Sequence, residues 1–132
     1  MAENKKKVEV NVDPARVQPG EDAFTPLVDI FEQADGTTVL LAEVPGAKSE
    51  SVDVRVDKGV LTITADGRRE PMGEDYARTY TGFMGGQFFR AFALSDEVDR
   101  DNIQASLSDG LLRVNLPRAE AAQTRKIEIS DG

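Results

Sequence analysis

The stretch from Val52 to Ile63 recurs from Ile103 to Val114, offset by 51 residues. Each copy begins with alternating apolar positions, Val52, Val54 and Val56 in the first and Ile103, Ala105 and Leu107 in the second. A three-residue polar turn ending in glycine follows (Asp57-Lys58-Gly59, Ser108-Asp109-Gly110), and then a second apolar run (Val60-Leu61-x-Ile63, Leu111-Leu112-x-Val114). Alternation with period two places every other side chain on one face of a strand, and glycine suits the left-handed position of a tight hairpin turn. The repeat therefore predicts two β-hairpins. Neither can bury its apolar face alone, so they must stack with further strands as a β-sandwich.

The rest of the chain supplies those strands. Short runs rich in Val, Ile, Leu and Thr, broken by Gly, Pro and Asp, predict strands near 27–31, 37–44, 52–56, 60–65, 87–94, 103–107 and 111–116. Helical periodicity is weak, with only a turn or two suggested over 119–126. With 132 residues the chain has room for one all-β domain with its own core. Residues 1–25 are polar and carry Lys5-Lys6-Lys7, Pro14 and Pro19-Gly20. Val8, Val10 and Val12 alternate as in a strand, but no segment nearby offers a partner, so 1–25 reads as a flexible, disordered arm.

Asp66 to Gln87 breaks the sandwich pattern with about twenty residues of charge and glycine, a length that is usually functional. Within it, Tyr76-Ala77-Arg78-Thr79-Tyr80 alternates like a strand between polar flanks. A strand on a long arm needs a partner, and a second subunit supplies one.

Composition removes most chemistry. The chain has no histidine, cysteine or tryptophan, so disulfides, thiolate nucleophiles, imidazole or thiolate zinc sites and Ser-His-Asp triads are excluded. Its net charge of −8 disfavours nucleic acid and anionic lipid, and Lys5-Lys6-Lys7 and Arg68-Arg69 read as solubilising clusters. The longest aliphatic run, Val39–Ala42, is far short of the ~20 residues that span a bilayer, and no signal peptide is evident at the N-terminus. These features point to a soluble cytoplasmic protein. Asp96, Glu97, Asp99 and Asp101 lack the spacing of a calcium loop, because Ile103 stands where an oxygen ligand belongs. Gly46-Ala47-Lys48-Ser49 and Gly82–Gly86 lack the context of a phosphate loop. No cofactor, metal or nucleotide site is expected, and any activity should not need ATP.

Two apolar features resist a bland reading. In Phe88–Leu94, alternation puts Arg90 in one row with Phe88, Phe92 and Leu94. Such a charge either has a carboxylate partner or is a surface arginine at a strand edge. Near the C-terminus, Ile127-Glu128-Ile129 follows the polar stretch 118–126, and this tail either closes its own domain or docks elsewhere.

Residues 26–129 as a set resemble the α-crystallin domain of the small heat-shock proteins, the Hsp20 family. Ala105–Leu112 is similar to the family's A-x-x-x-n-G-v-L signature, and Val44-Pro45-Gly46 to its Leu-Pro-Gly turn. Gly59–Ile63 resembles the strand after that turn, Phe88-x-Arg90-x-Phe92-x-Leu94 the F-x-R-x-F-x-L stretch, and Ile127-Glu128-Ile129 the I-x-I motif. The resemblance implies an immunoglobulin-like β-sandwich over 26–117, with a dimerisation loop at 66–87 and a hinge and tail over 118–132. It implies an ATP-independent holdase, not an enzyme, that binds unfolding client proteins and hands them to ATP-driven chaperones. It also implies a homo-oligomer built from dimers, open to a co-assembling sister protein. By the same resemblance, Tyr76, Arg78 and Tyr80 would enter a partner's sheet beside Val28–Phe31, and Arg90 would meet an acidic group near that interface. Ile127 and Ile129 would dock in a groove lined from Val52, Val54, Val56, Ile103, Ala105 and Leu107, and alternation leaves open which of these face the groove and which the core. Two departures stand out: Ser95 replaces the family's proline, which should loosen that turn, and the short arm carries one aromatic, Phe24. The alternatives are a p23/CS-type co-chaperone domain, which lacks the loop and the tail motif, and a ligand-binding β-sandwich.

Overall fold

The computed structural model describes residues 6–8, 10–11, 23–82, 85–120 and 126–132, the first two groups as backbone alone. Nine strands form two sheets: β1 (Lys6–Val8), β2 (Val10–Asn11), β3 (Val28–Glu32), β4 (Thr38–Glu43), β5 (Val52–Asp57), β6 (Val60–Asp66), β7 (Gln87–Ala93), β8 (Gln104–Ser108) and β9 (Leu111–Leu116). One sheet runs β1-β8-β9-β4-β3 and the other β2-β5-β6-β7, with every pair antiparallel except β2 on β5. No α-helix occurs among the described residues; two single 3-10 turns, Ser49–Ser51 and Arg100–Asn102, precede β5 and β8.

The repeated hairpins are β5–β6 and β8–β9, one in each sheet. Their loops hold two residues, not the expected three, because Asp57 still pairs with Val60 and Ser108 with Leu111. Both loop residues have positive φ, 49° and 78° at Lys58-Gly59 and 50° and 76° at Asp109-Gly110. That is the type I′ geometry, whose twist matches the strands it joins. The same turn at equivalent points leaves both hairpins in the same register.

Alternation then dictates the core. β5 and β6 bury every second residue, and the most enclosed side chains are Leu61, Ile63, Leu112, Val44, Val54, Val56 and Val114. The inner faces of both sheets meet here, at roughly 1.5–3 kcal/mol for each large aliphatic chain withdrawn from water. At one end of the sandwich two glycines let backbones touch. A Cβ on Gly67 would lie 2.2 Å from the Pro45 carbonyl oxygen, and one on Gly46 would lie 2.7 Å from that of Gly67.

A further expectation, on the N-terminal arm, changes. Residues 6–8 and 10–11, read as part of a disordered arm, pair with β8 and β5, strands too distant in sequence for local alternation to name; the rest of 1–22 lies outside the described residues. The turn at Ser95 is tied by its own groups, since its hydroxyl accepts from the Glu97 N–H (3.1 Å) and its carbonyl from the Val98 N–H (3.2 Å). The helical turn suggested over 119–126 falls mostly on 121–125, outside the described residues.

Candidate functional site

The two sheets end in four edges, and their covering differs. β3 closes the five-stranded sheet and pairs, among the described residues, with β4 alone. It is also apolar: Leu27 just before it is 72% exposed, Ile30 56% and Phe31 54%. Unpaired backbone groups beside exposed aliphatic and aromatic side chains form a template for another strand.

β7, at the end of the other sheet, has a partial cover. The Phe24 N–H donates to the Gln87 carbonyl (2.7 Å) and the Phe89 N–H donates to the Phe24 carbonyl (3.0 Å). The Phe24 ring meets Phe88 at 6.3 Å between centroids, and a Cβ on Gly86 would fall 2.6 Å from it. The sequence reading treated Phe24 only as a lone aromatic of the arm. A large apolar residue in a polar stretch, with two glycines ahead of an Phe-Phe strand, was the available sign of this contact.

Arg90 lies half-buried on β7 in the row that alternation assigns it. Its guanidinium donates to the Pro26 carbonyl (3.2 Å) and stands 4.9 Å from the Phe92 ring centroid. Among the described residues of one protomer no carboxylate pairs with it; a carbonyl and a ring face take that place. Arg90 thus ties the approach to β3 onto the sheet that carries β7.

Between β6 and β7 the loop 67–86 leaves and re-enters through a closed neck, the Gly67 N–H donating to the Gly86 carbonyl (2.8 Å). Asp66 firms that neck. Its carboxylate accepts from the Arg68 N–H (3.0 Å) and guanidinium (3.1 Å), and these bonds hold its pKa below the usual range. Beyond the neck, residues 76–80 form no strand within the chain, and Tyr76 and Tyr80 are 66% and 85% exposed. Arg68, Arg69, Arg78 and Tyr80 line an open cavity of about 530 Å³.

On the opposite side of the sandwich lie β5 and β8, one from each sheet. Val52, Val54, Val56, Ile103, Ala105 and Leu107 are all buried, so all six point inward between the sheets. That resolves the alternation: none of the six stands on an outer face, and the strand positions between them are half-buried or exposed polar residues. β1 and β2 lie along these two strands. Ile127 and Ile129, by contrast, are 84% and 94% exposed.

The acidic cluster has a local use. The Asp99 carboxylate caps the turn after it, accepting from the Asp101 N–H (3.2 Å) and the Asn102 side-chain amide (2.6 Å).

The arrangement offers edges and apolar rows, and comparison with known proteins identifies it. Heat shock protein 16 of Schizosaccharomyces pombe is 36% identical over 110 residues, 82% of this chain and 75% of that protein. The solved structure of heat shock protein 16.0 from the same organism superposes with a TM-score of 0.67 at 33% identity, covering 82% of this chain and 99% of that one. A small heat-shock protein from Xylella fastidiosa, described as having a distinct high order structure, gives a TM-score of 0.64 at 33% identity over 82% and 98%. The sequence model of the Hsp20/alpha crystallin family matches residues 29–130, from the open edge strand to the exposed tail, and the chain belongs to that family of small heat shock proteins.

Proposed function

We propose that the protein is an ATP-independent holdase, binding unfolding proteins through apolar edges and keeping them from aggregating. The observation that carries this reading is the apolar β3 edge, with Leu27, Ile30 and Phe31 exposed on a domain whose core is otherwise closed. An unfolding client presents the same two groups, unpaired backbone and apolar side chains, and such an edge satisfies both. The work is binding rather than catalysis, with no cofactor. Clients released later pass to ATP-driven chaperones. Net charge −8 keeps nucleic acid and anionic lipid from competing for these surfaces. No helix among the described residues is long and apolar enough to cross a membrane, in keeping with work in the cytoplasm.

The assembly we infer is a dimer in which each loop places Tyr76–Tyr80 beside the partner's β3, with Arg90 close to that contact. Dimers join into larger particles when Ile127 and Ile129 enter the groove between β5 and β8 of a neighbour; a sister small heat-shock protein with the same motif could co-assemble. The open β3, the partnerless 76–80 and the exposed isoleucines support this reading together. The loop and the tail motif also favour it over a p23/CS-type domain.

The test is light scattering from a heat-denatured client with and without ATP. Suppression should saturate near one subunit per client and be indifferent to nucleotide. Protection by catalytic amounts, or only with ATP, would refute a stoichiometric holdase.

A further inference from the structure

We propose that the N-terminal strands β1 and β2 are an internal competitor for the groove that receives the tail, so that each subunit carries its own brake on assembly. This rests on the tail-docking reading above and adds the regulation of that site.

The backbone pairing carries the inference. β1 adds to β8 with Lys6 opposite Leu107 and Val8 opposite Ala105; β2 adds to β5 with Val10 opposite Val54. Residues 6–8 thus lie along β8 and residues 10–11 along β5, one wall of the groove in each sheet. Val8 and Val10 thereby stand in register with Ala105 and Val54, the middle residues of its two walls. The sequence is of the tail's own kind: Val8-Glu9-Val10 and Ile127-Glu128-Ile129 both set two β-branched residues around a glutamate. With the arm in place, the isoleucines of the same chain lie exposed.

The geometry permits the arm to act within its own subunit. Phe24 is anchored beside β7, about four strand spacings from β2, or roughly 20 Å. The twelve intervening residues, 12–23, can span about 40 Å. Magnitudes then decide the balance. Each valine lacks one methylene of an isoleucine, and two methylenes favour the tail by about tenfold. A tether of this length supplies an effective concentration of order millimolar, which favours the arm by about a thousandfold over a tail present at micromolar concentration. The arm wins in dilute dimers. The tail wins only where many tails are held close, so growth of particles is cooperative.

The experiment uses the full chain with Ile127→Ala and Ile129→Ala, which removes its own tail, and a labelled peptide of residues 118–132 as probe. Adding Val8→Asp and Val10→Asp should tighten peptide binding at least tenfold and reduce amide-exchange protection in β5 and β8. Adding Val8→Ile and Val10→Ile should weaken binding about tenfold and raise protection, a variant with no reason to misfold. Equal affinity and equal protection in all three forms would overturn the proposal. A peptide that binds none of them while protection still shifts would overturn the competition and the tail-docking reading alike, with the arm's placement on the groove upheld.

Discussion

Excision of the β6–β7 loop separates what holds the protomer from what holds the dimer. Asp66 pairs with Gln87, and the next pair outward is joined by the bond from Gly67 N–H to the Gly86 carbonyl. Deleting Glu70–Gly85 therefore leaves Arg68-Arg69 as a two-residue connection between strand ends already at hairpin distance. Replacing these arginines by Asn-Gly supplies the positive φ values that such a turn needs. Shortening the loop from eighteen residues (68–85) to two lowers its closure entropy, and (3/2)RT ln 9 is about 2 kcal/mol. Tyr76 and Tyr80 are mostly exposed, so the loss of intrachain burial offsets little of this. The excised protein should be a monomer by sedimentation at every concentration tested. Its chemical denaturation should give a folding free energy equal to or up to about 2 kcal/mol above that of the parent protomer. A dimer that survives excision would refute the loop as the contact and turn attention to a direct β3 or β7 pairing. A variant that fails to fold would refute the claim that the neck is already a hairpin end.

Three other substitutions probe single contacts. Arg90→Met keeps the aliphatic stem but removes the bond to Pro26 and the cation over Phe92, and should cost about 2–3 kcal/mol in denaturant unfolding; a change under about 0.5 kcal/mol would make it a surface group. Ile127→Ala with Ile129→Ala removes side chains that touch little within the protomer, so the melting temperature should hold while species larger than the dimer disappear from the native mass distribution. A lowered melting temperature with subunit number unchanged would show that the tail closes its own sandwich. Lys58→Asn places a residue tolerant of positive φ in the first type I′ turn and should stabilise by about 0.5–1 kcal/mol, read as a rise of a few degrees in melting; no change would mean that lysine carries no strain there.

The strands and their inward residues were legible because alternation is a local property, and the repeat at an offset of 51 residues named both hairpins before any contact was known. The length of their turns was not, since three polar residues look alike whether or not the first still pairs. What escaped the sequence was pairing at long range. Val8 and Val10 display a strand pattern, but nothing in it points to β8 or β5, about a hundred and about forty-five residues away. Arg90 was visible as a charge in an apolar row, but its partners are a carbonyl and a ring face, and composition cannot separate those from a carboxylate. For the six groove residues, alternation set them apart from their neighbours without saying which face was inner, because that depends on where the second sheet lies.

The distribution of covered and open edges connects the fold to its proposed work. A two-sheet sandwich has four edges, each a template for uncontrolled pairing unless something occupies it. Here one N-terminal segment attends to three of them: β1 on β8, β2 on β5 and Phe24 against β7. Among the described residues, β3 pairs with β4 only and keeps apolar side chains exposed. A chain selected only for stability as a monomer would blunt that edge with lysine, proline or a bulge, and Asp29 and Glu32 are its only charges. Retaining an open edge is therefore what the proposed function needs, an edge that can pair with a second copy or with an unfolding client. The covers that depend on short backbone ladders, three residues for β1 and two for β2, are the ones that can be withdrawn at least cost. Heat should release them first, which exposes the groove between β5 and β8 while the core between Leu61, Ile63, Leu112 and Val114 stays intact. The fold thus confines its adjustable contacts to sheet edges and keeps its burial in the middle, so assembly can change without the domain unfolding.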